Sequence, residues 1–218
     1  MSNMTWPQWF RRQIAGYPTP EAYLHAAAQY AQPLVESIRR LYPPPAKLLE
    51  MGCGIGGSAR AFAAAGYDVL AVDRDPDILE LASRLPTVPR LNYALGDELS
   101  APGPADIVTC LGILEHYDAP ERHQLLIRLR RCGAVLGLSI PTSWVNAGSR
   151  EMDERDLTLR ELIREVTAAH WPVREAFGWG IPTTFARVAG YCPPGILYRI
   201  QRRGRCCCTL GVVAGIGR

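Results

Sequence analysis

The stretch Lys47-Leu48-Leu49-Glu50-Met51-Gly52-Cys53-Gly54-Ile55-Gly56-Gly57 constrains the fold more than any other part of the chain. A short apolar run that passes straight into a cluster of glycines reads as a buried strand breaking into a tight turn, with helix after it. Asp73 then closes the next apolar run, over 68–72. Glycines let backbone approach a ligand closely, and the amino end of the following helix favours a negative group. A carboxylate at the end of a second strand can grip a ribose diol. The spacing points to an adenosine-containing ligand.

Around this turn the sequence alternates between two periods. Thr19-Pro20-Glu21 supplies a cap, a proline suited to the first helical turn and an acid, and Leu24, Ala28, Ala31, Val35 and Ile38 form the stripe of a helix over about 20–41. Pro43-Pro44-Pro45 ends it. After the turn come a helix near 57–65, a strand over 68–72, a helix opened by Asp75-Pro76, and strands over 91–95 and 105–111. Asp118-Ala119-Pro120-Glu121 resembles a capping box before the helix carrying Leu125, Leu126 and Leu129, and 132–140 reads as a fifth strand. Such alternation argues an α/β fold with a doubly wound parallel sheet. Periodicity then lapses from Pro141 to Leu157, as in a surface loop or lid. Thr158-Leu159-Arg160-Glu161 is a capping box, with Leu157 and Leu162 as its hydrophobic staple. A strand near 173–177, an irregular Gly- and Pro-rich stretch to about 195 and a strand near 206–214 complete the pattern.

At 218 residues the chain suits one domain with at most a small appendage. Its 48% hydrophobic and 21% charged residues exclude disordered and collagen-like classes. No apolar run approaches the roughly 18 to 20 residues of a membrane span, and the first residues lack a secretory pattern, so a cytoplasmic address without membrane attachment is expected. Seven cysteines at irregular spacing form neither a disulfide framework nor a zinc pattern. Cys206, Cys207 and Cys208 alternate faces if extended, so they cannot converge on one ion. A net charge of +3 does not demand a polyanionic partner, although Arg199 to Arg218 holds five arginines and no acid.

The glycines alone are ambiguous, because Gly52, Gly54 and Gly57 also fit the dinucleotide fingerprint Gly-x-Gly-x-x-Gly. Three features favour another ligand. Glu50 places an acid at the end of the first strand, where a pyrophosphate would be repelled and a cation welcomed. Asp97 ends the third strand, and Leu111-Gly112-Ile113-Leu114-Glu115-His116-Tyr117 follows the fourth. Acids thus recur at successive carboxyl ends, as suits a ligand with ribose, an adenine amino group and positive charge. Against this stand plainer roles: strand-end turn acids for Asp73 and Asp97, a helix cap for Glu115, and a hydrogen-bonded core residue for His116.

With these motifs the sequence resembles the class I S-adenosylmethionine-dependent methyltransferases over about residues 45–140, and more loosely to the end. Leu114-Glu115-His116 is similar to the Leu-Glu-His of the quinone-biosynthesis and related small-molecule branch. The resemblance implies a Rossmann-like, seven-stranded sheet with an antiparallel last strand. It implies an N-terminal helical cap over 1–44 and a methyltransferase domain over 45–218, with a lid at 141–157 and an acceptor-side segment at 177–205. Glu50, Gly52, Cys53 and Gly54 would form the methionine and ribose turn. Asp73, with Arg74 beside it, would take the ribose hydroxyls, Asp97 with Glu98 would lie by the adenine, and Leu111 and Gly112 would line the sulfonium side. His116 would be the catalytic base, with Glu115 orienting it.

Relatives that hold a divalent metal carry Glu-x-x-Glu-His at this point. Gly112 replaces the first ligand here, so no metal is expected. The cofactor implied is S-adenosyl-L-methionine, leaving as S-adenosyl-L-homocysteine. The acceptor is expected to be a small molecule methylated on oxygen or nitrogen, and Trp144, Trp179, Phe185 and Tyr191 hint that it is apolar or aromatic. An RNA methyltransferase, a nicotinamide-dependent oxidoreductase and a non-catalytic binding module are the competing readings, with nucleic acid disfavoured by the modest charge. Oligomeric state is not legible.

Overall fold

A computed structural model describes residues 4–97, 104–142, 155–180, 194–201, 203–204 and 207–215. Two helices come first, α1 (Trp6–Ala15) and α2 (Pro20–Leu41). The sheet then begins with β1 (Lys47–Met51), α3 (Gly57–Ala64), β2 (Asp68–Asp73), α4 (Pro76–Ser83) and β3 (Leu91–Leu95). It continues with β4 (Ala105–Leu111), a 3₁₀ turn (Leu114–His116), α5 (Ala119–Cys132) and β5 (Gly133–Pro141). The last elements are α6 (Leu159–Ala168), β6 (Val173–Trp179), α7 (Pro194–Gln201) and β7 (Thr209–Gly215).

The seven strands lie in the order β3-β2-β1-β4-β5-β7-β6. The first five pair in parallel, and β7 runs antiparallel between β5 and β6. Both faces are buried. On one, Leu126, Leu129, Leu162, Val166 and Trp171 from α5, α6 and the turn after it pack on β4 and β5. On the other, Leu34, Val35 and Ile38 of α2 join Phe62 and Tyr67. Strands covered on both sides need continuous apolar runs, which is why β4 and β7 read as such in the sequence.

The capping boxes at Asp118 and Thr158 form as the residue spacing demands, each with its glutamate three residues on, and Leu157 and Leu162 are both buried. Two helices depart from the sequence reading. Residues 6–15 form α1, which the hydrophobic stripe of α2 overshadowed, although Thr5-Trp6-Pro7-Gln8 makes a full capping box with proline in the first turn. Residues 194–201 form α7, and the last strand starts at Thr209, later than 206. Short helices after proline and glycine lack a long enough period to announce themselves.

One buried ion pair locks the site's flank. Arg122 of α5 meets the Glu165 carboxylate of α6 through Nε and Nη2, both at 2.7 Å, and its Nη1 donates to the Tyr117 carbonyl at 2.7 Å. The two side chains are 6% and 16% exposed, so deleting one partner strands a charge away from water. Glu165→Ala is expected to cost about 3 kcal/mol in urea unfolding, with Arg122→Met/Glu165→Leu recovering most of it. A loss under 1 kcal/mol in the single variant would mark the pair as solvated.

Candidate active site

The strand order reverses between β1 and β4, and ligands of open α/β sheets bind in the crevice outside the carboxyl ends at such a point. Glu50, in β1, lies at this place and is 1% exposed. Ser58, on the first turn of α3, donates to its Oε1, whereas Oε2 is buried with no hydrogen-bond partner among the described residues. Burial pushes the carboxyl pKa up to about 7, with the Ser58 hydroxyl pulling the other way. An ionisable group kept from water with an unused acceptor is costly unless something cationic meets it.

The glycine turn is bound to β2 from two sides. Cys53 N donates to the Val72 carbonyl at 3.0 Å, and Gly54 N to Asp73 Oδ2 at 2.9 Å. Asp73 Oδ1 accepts from Asp75 N at 3.0 Å. Burial raises the Asp73 pKa, and these two backbone donors oppose it. Each carboxylate oxygen has a second lone pair, so Asp73 keeps acceptor capacity for hydroxyls. Cys53 is buried beside Glu50 and Asp73, and burial first, then those two acids, drive its thiol pKa up. It is a packing residue here, not a nucleophile. Gly54 has φ +55°, and a Cβ there would overlap the Phe10 ring. Both facts require glycine.

At the third strand, Gly96 N donates to the Asp73 carbonyl at 3.0 Å, which brings the half-buried Asp97 to the end of β2. Arg74 is exposed, and Glu98 lies outside the described residues. At the fourth strand, Leu111 is half-buried, and Gly112, at φ +69°, donates to the Ser139 carbonyl at 2.9 Å. The two turns meet, since a Cβ on Gly52 would lie 2.9 Å from Ile113 Cγ1. Glu115 is buried in the 3₁₀ turn, where its carbonyl accepts from Arg155 N at 2.8 Å. His116 follows, half-buried, with the Trp6 ring against it.

The structure thus brings Glu50, Gly52, Cys53, Gly54, Asp73, Asp97, Gly112, Glu115 and His116 to the carboxyl ends of β1 to β4 and the turns after them, and leaves Arg74 facing solvent. Sequence reasoning missed Ser58, Tyr93, Trp6 and Phe10. Tyr93 Oη donates to the Ile55 carbonyl at 3.3 Å, and a Cβ on Gly56 would overlap this phenol. The unread capping box at Thr5 was the available signal for Trp6 and Phe10.

The expected lid at 141–157 falls mostly outside the described residues, as do Trp144, Phe185, Tyr191 and Cys206. Its flanks are fixed: Thr142 N donates to the Cys208 carbonyl at 2.8 Å, and Arg155 binds Glu115 as above. Trp179 is buried against Phe177 and Tyr30, and its Nε1 donates to the Tyr30 carbonyl at 2.9 Å. Among the described residues no group of three or more His, Cys, Asp or Glu could hold a metal ion, and no helix is long and apolar enough to cross a membrane.

A family described as the methyltransferase domain matches residues 48–135. The ubiquinone biosynthesis O-methyltransferase of Xanthomonas campestris is 32% identical over 123 residues, which cover 54% of this chain and 48% of that protein. The mitochondrial ubiquinone biosynthesis O-methyltransferase of Schizosaccharomyces pombe is 35% identical over 81 residues, covering 34% of this chain and 30% of its own. The chain spans about half the length, or less, of these relatives. Among solved structures, magnesium protoporphyrin IX methyltransferase from Synechocystis with bound S-adenosylhomocysteine (SAH) superposes with a TM-score of 0.65. It is 15% identical, with 95% of this chain and 92% of that one covered. The 1,6-didemethyltoxoflavin-N1-methyltransferase of Burkholderia thailandensis gives 0.59 at 18% identity, covering 100% of this chain and 93% of that one. Over residues 48–135 the chain is thus similar to a methyltransferase domain, and its seven-stranded fold is shared with solved S-adenosylmethionine-dependent methyltransferases.

Proposed function

We propose that the chain transfers a methyl group from S-adenosyl-L-methionine to the hydroxyl of a small apolar or aromatic molecule. The observation that carries this is Glu50: a fully buried carboxylate with one oxygen unbonded among the described residues, at the strand-order reversal, suits an ammonium-bearing ligand and repels a pyrophosphate. The residues therefore fit this cofactor better than a dinucleotide. When bound, it supplies an already activated methyl on a positively charged sulfur.

The chain's own residues divide the work of binding and proton removal. Glu50 holds the cationic amino acid end, with Ser58 fixing its other oxygen. Asp73, oriented by Gly54 N and Asp75 N, accepts from the ribose hydroxyls, and Asp97, at the end of β3, is the acid for the adenine. Leu111 and Gly112 border the sulfonium side. His116 takes the proton of the acceptor hydroxyl, and Glu115 orients it; an imidazole titrates near neutral pH and suits this work. Hydroxyl acceptors are favoured because the curated relatives bear the name O-methyltransferase.

Calorimetric titration tests the reading. SAH is expected to bind with a micromolar Kd or tighter, about −8 kcal/mol, and NAD not at all. The reverse preference would overturn the proposal. Asp73→Ala should weaken SAH binding by about 1.5 to 3 kcal/mol through its lost charged hydrogen bonds; an unchanged Kd removes Asp73 from the site.

A further inference from the structure

Thr109 of β4 pairs with Glu50 of β1 in the parallel ladder, so the two side chains leave the sheet on the same face, on strands about 4.8 Å apart. Thr109 is 0% exposed, and its hydroxyl, like Glu50 Oε2, has no hydrogen-bond partner among the described residues. On its other side Thr109 pairs with Gly137 of β5, where a Cβ would lie 3.0 Å from Thr109 Cγ2. The methyl branch is thus turned toward β5, and the hydroxyl is on another branch. β1 ends one residue after Glu50 and β4 two after Thr109, and the chain leaves each strand through a glycine at positive φ, Gly52 at +63° and Gly112 at +69°. Both side chains therefore stand near the carboxyl ends where the strand order reverses. Valine has the shape of threonine and would fill the position without the cost of a buried, unbonded hydroxyl. Packing alone gives no reason for threonine here.

We propose that Thr109 is a further cofactor-binding residue, its hydroxyl sharing with Glu50 Oε2 the N–H groups of a primary ammonium. This deepens the methyltransferase reading and rests on it. A carboxylate answers charge, whereas a neutral hydroxyl oxygen answers only an N–H directed at it. A nitrogen about 2.8 Å from each of two oxygens can join acceptors up to roughly 5.5 Å apart, which suits side chains on neighbouring strands. A primary ammonium carries three N–H donors, and these two oxygens take two of them. A quaternary ammonium has the charge without the donors, and a ligand lacking the nitrogen has neither. The pair thus selects for the chemistry of the amino group as well as for its charge.

The test is calorimetric titration of the full chain at pH 8 with SAH and with deamino-SAH, in which hydrogen replaces the amino group. Thr109→Val, which keeps the shape and removes the hydroxyl, should weaken SAH about tenfold, whereas Thr109→Ser should stay within about threefold of wild type. For deamino-SAH, Thr109→Val and wild type should agree within about twofold, because the group that the hydroxyl meets is gone. The urea midpoint of the free Thr109→Val protein should hold or rise, since the variant removes a buried hydroxyl that has no partner there. Should Thr109→Val not fold, Thr109→Ala against Thr109→Ser makes the same comparison. Unchanged SAH binding in the variant, an equal loss for both ligands, or a lowered midpoint overturns the role of Thr109 while SAH binding by wild type stands. Failure of wild type to bind SAH overturns the methyltransferase reading and this inference with it.

Discussion

Turnover of a hydroxyl acceptor is expected to fall by roughly 10² to 10⁴ in His116→Ala, the range lost when a positioned general base is removed. The sulfonium methyl needs little activation, so the burden on the protein is alignment and removal of one proton. His116, on the turn after β4 with the Trp6 ring against it, is the residue proposed to take that proton. SAH affinity and the unfolding midpoint should stay near wild type, because Glu50 and Asp73 lie on other strands. An amine acceptor would show a smaller loss. Full turnover of a hydroxyl acceptor by the variant would leave His116 as a packing residue.

Glu50→Gln is expected to act in opposite directions on stability and on binding. Burial puts the Glu50 carboxyl near 7 in the folded chain against 4.5 for the free group. Between these values the folded chain holds a proton that the unfolded chain has released. The free protein therefore loses stability as pH rises from about 4.5 to about 7, by about 3 kcal/mol in all. Glutamine removes that loss, so urea unfolding should show the variant more stable than wild type at pH 8 and nearly equal to it below pH 4.5.

Cofactor affinity should move the other way. The variant loses a charged hydrogen bond to the ligand's ammonium group, about 1.5 to 3 kcal/mol, or ten- to a hundredfold in the SAH Kd at pH 8. Wild-type affinity should weaken about tenfold per pH unit below 7, as the carboxylate must first give up its proton, and the variant should lack that slope. A wild-type SAH Kd flat from pH 5.5 to 8 would mean that Glu50 does not face the ligand's charge. Stability withheld in the free protein and returned on binding is how a site built for a charged ligand differs from ordinary core.

Much of the site was legible because it is written in local backbone chemistry. Gly54 needs a positive φ and room for Phe10; Asp73 has to end a strand to reach the turn; Asp118 and Thr158 cap helices through residues three positions away. Such constraints act over a few residues and leave their mark in residue type and spacing. The antiparallel β7 was legible only through resemblance, since an apolar run such as Thr209–Gly215 has the same period in either direction.

Other features depended on what the chain brings back from far away. Nothing near Trp6 in the sequence says that its ring will meet His116, because that contact joins a helix before the sheet to a turn beyond its fourth strand. Glu50 by its position suggested a cationic ligand. That one of its oxygens would be held by Ser58 and the other left unbonded, with the pKa carried to about 7, follows only once α2, α3 and the neighbouring strands exclude water around it. Strand periodicity, caps and the glycine turn were determined by the sequence alone, since each is a short-range steric or hydrogen-bonding demand. Desolvation of Glu50 and the aromatic cover over Gly54 and His116 were decided by the tertiary structure, because burial and ring contact depend on groups that only folding brings together.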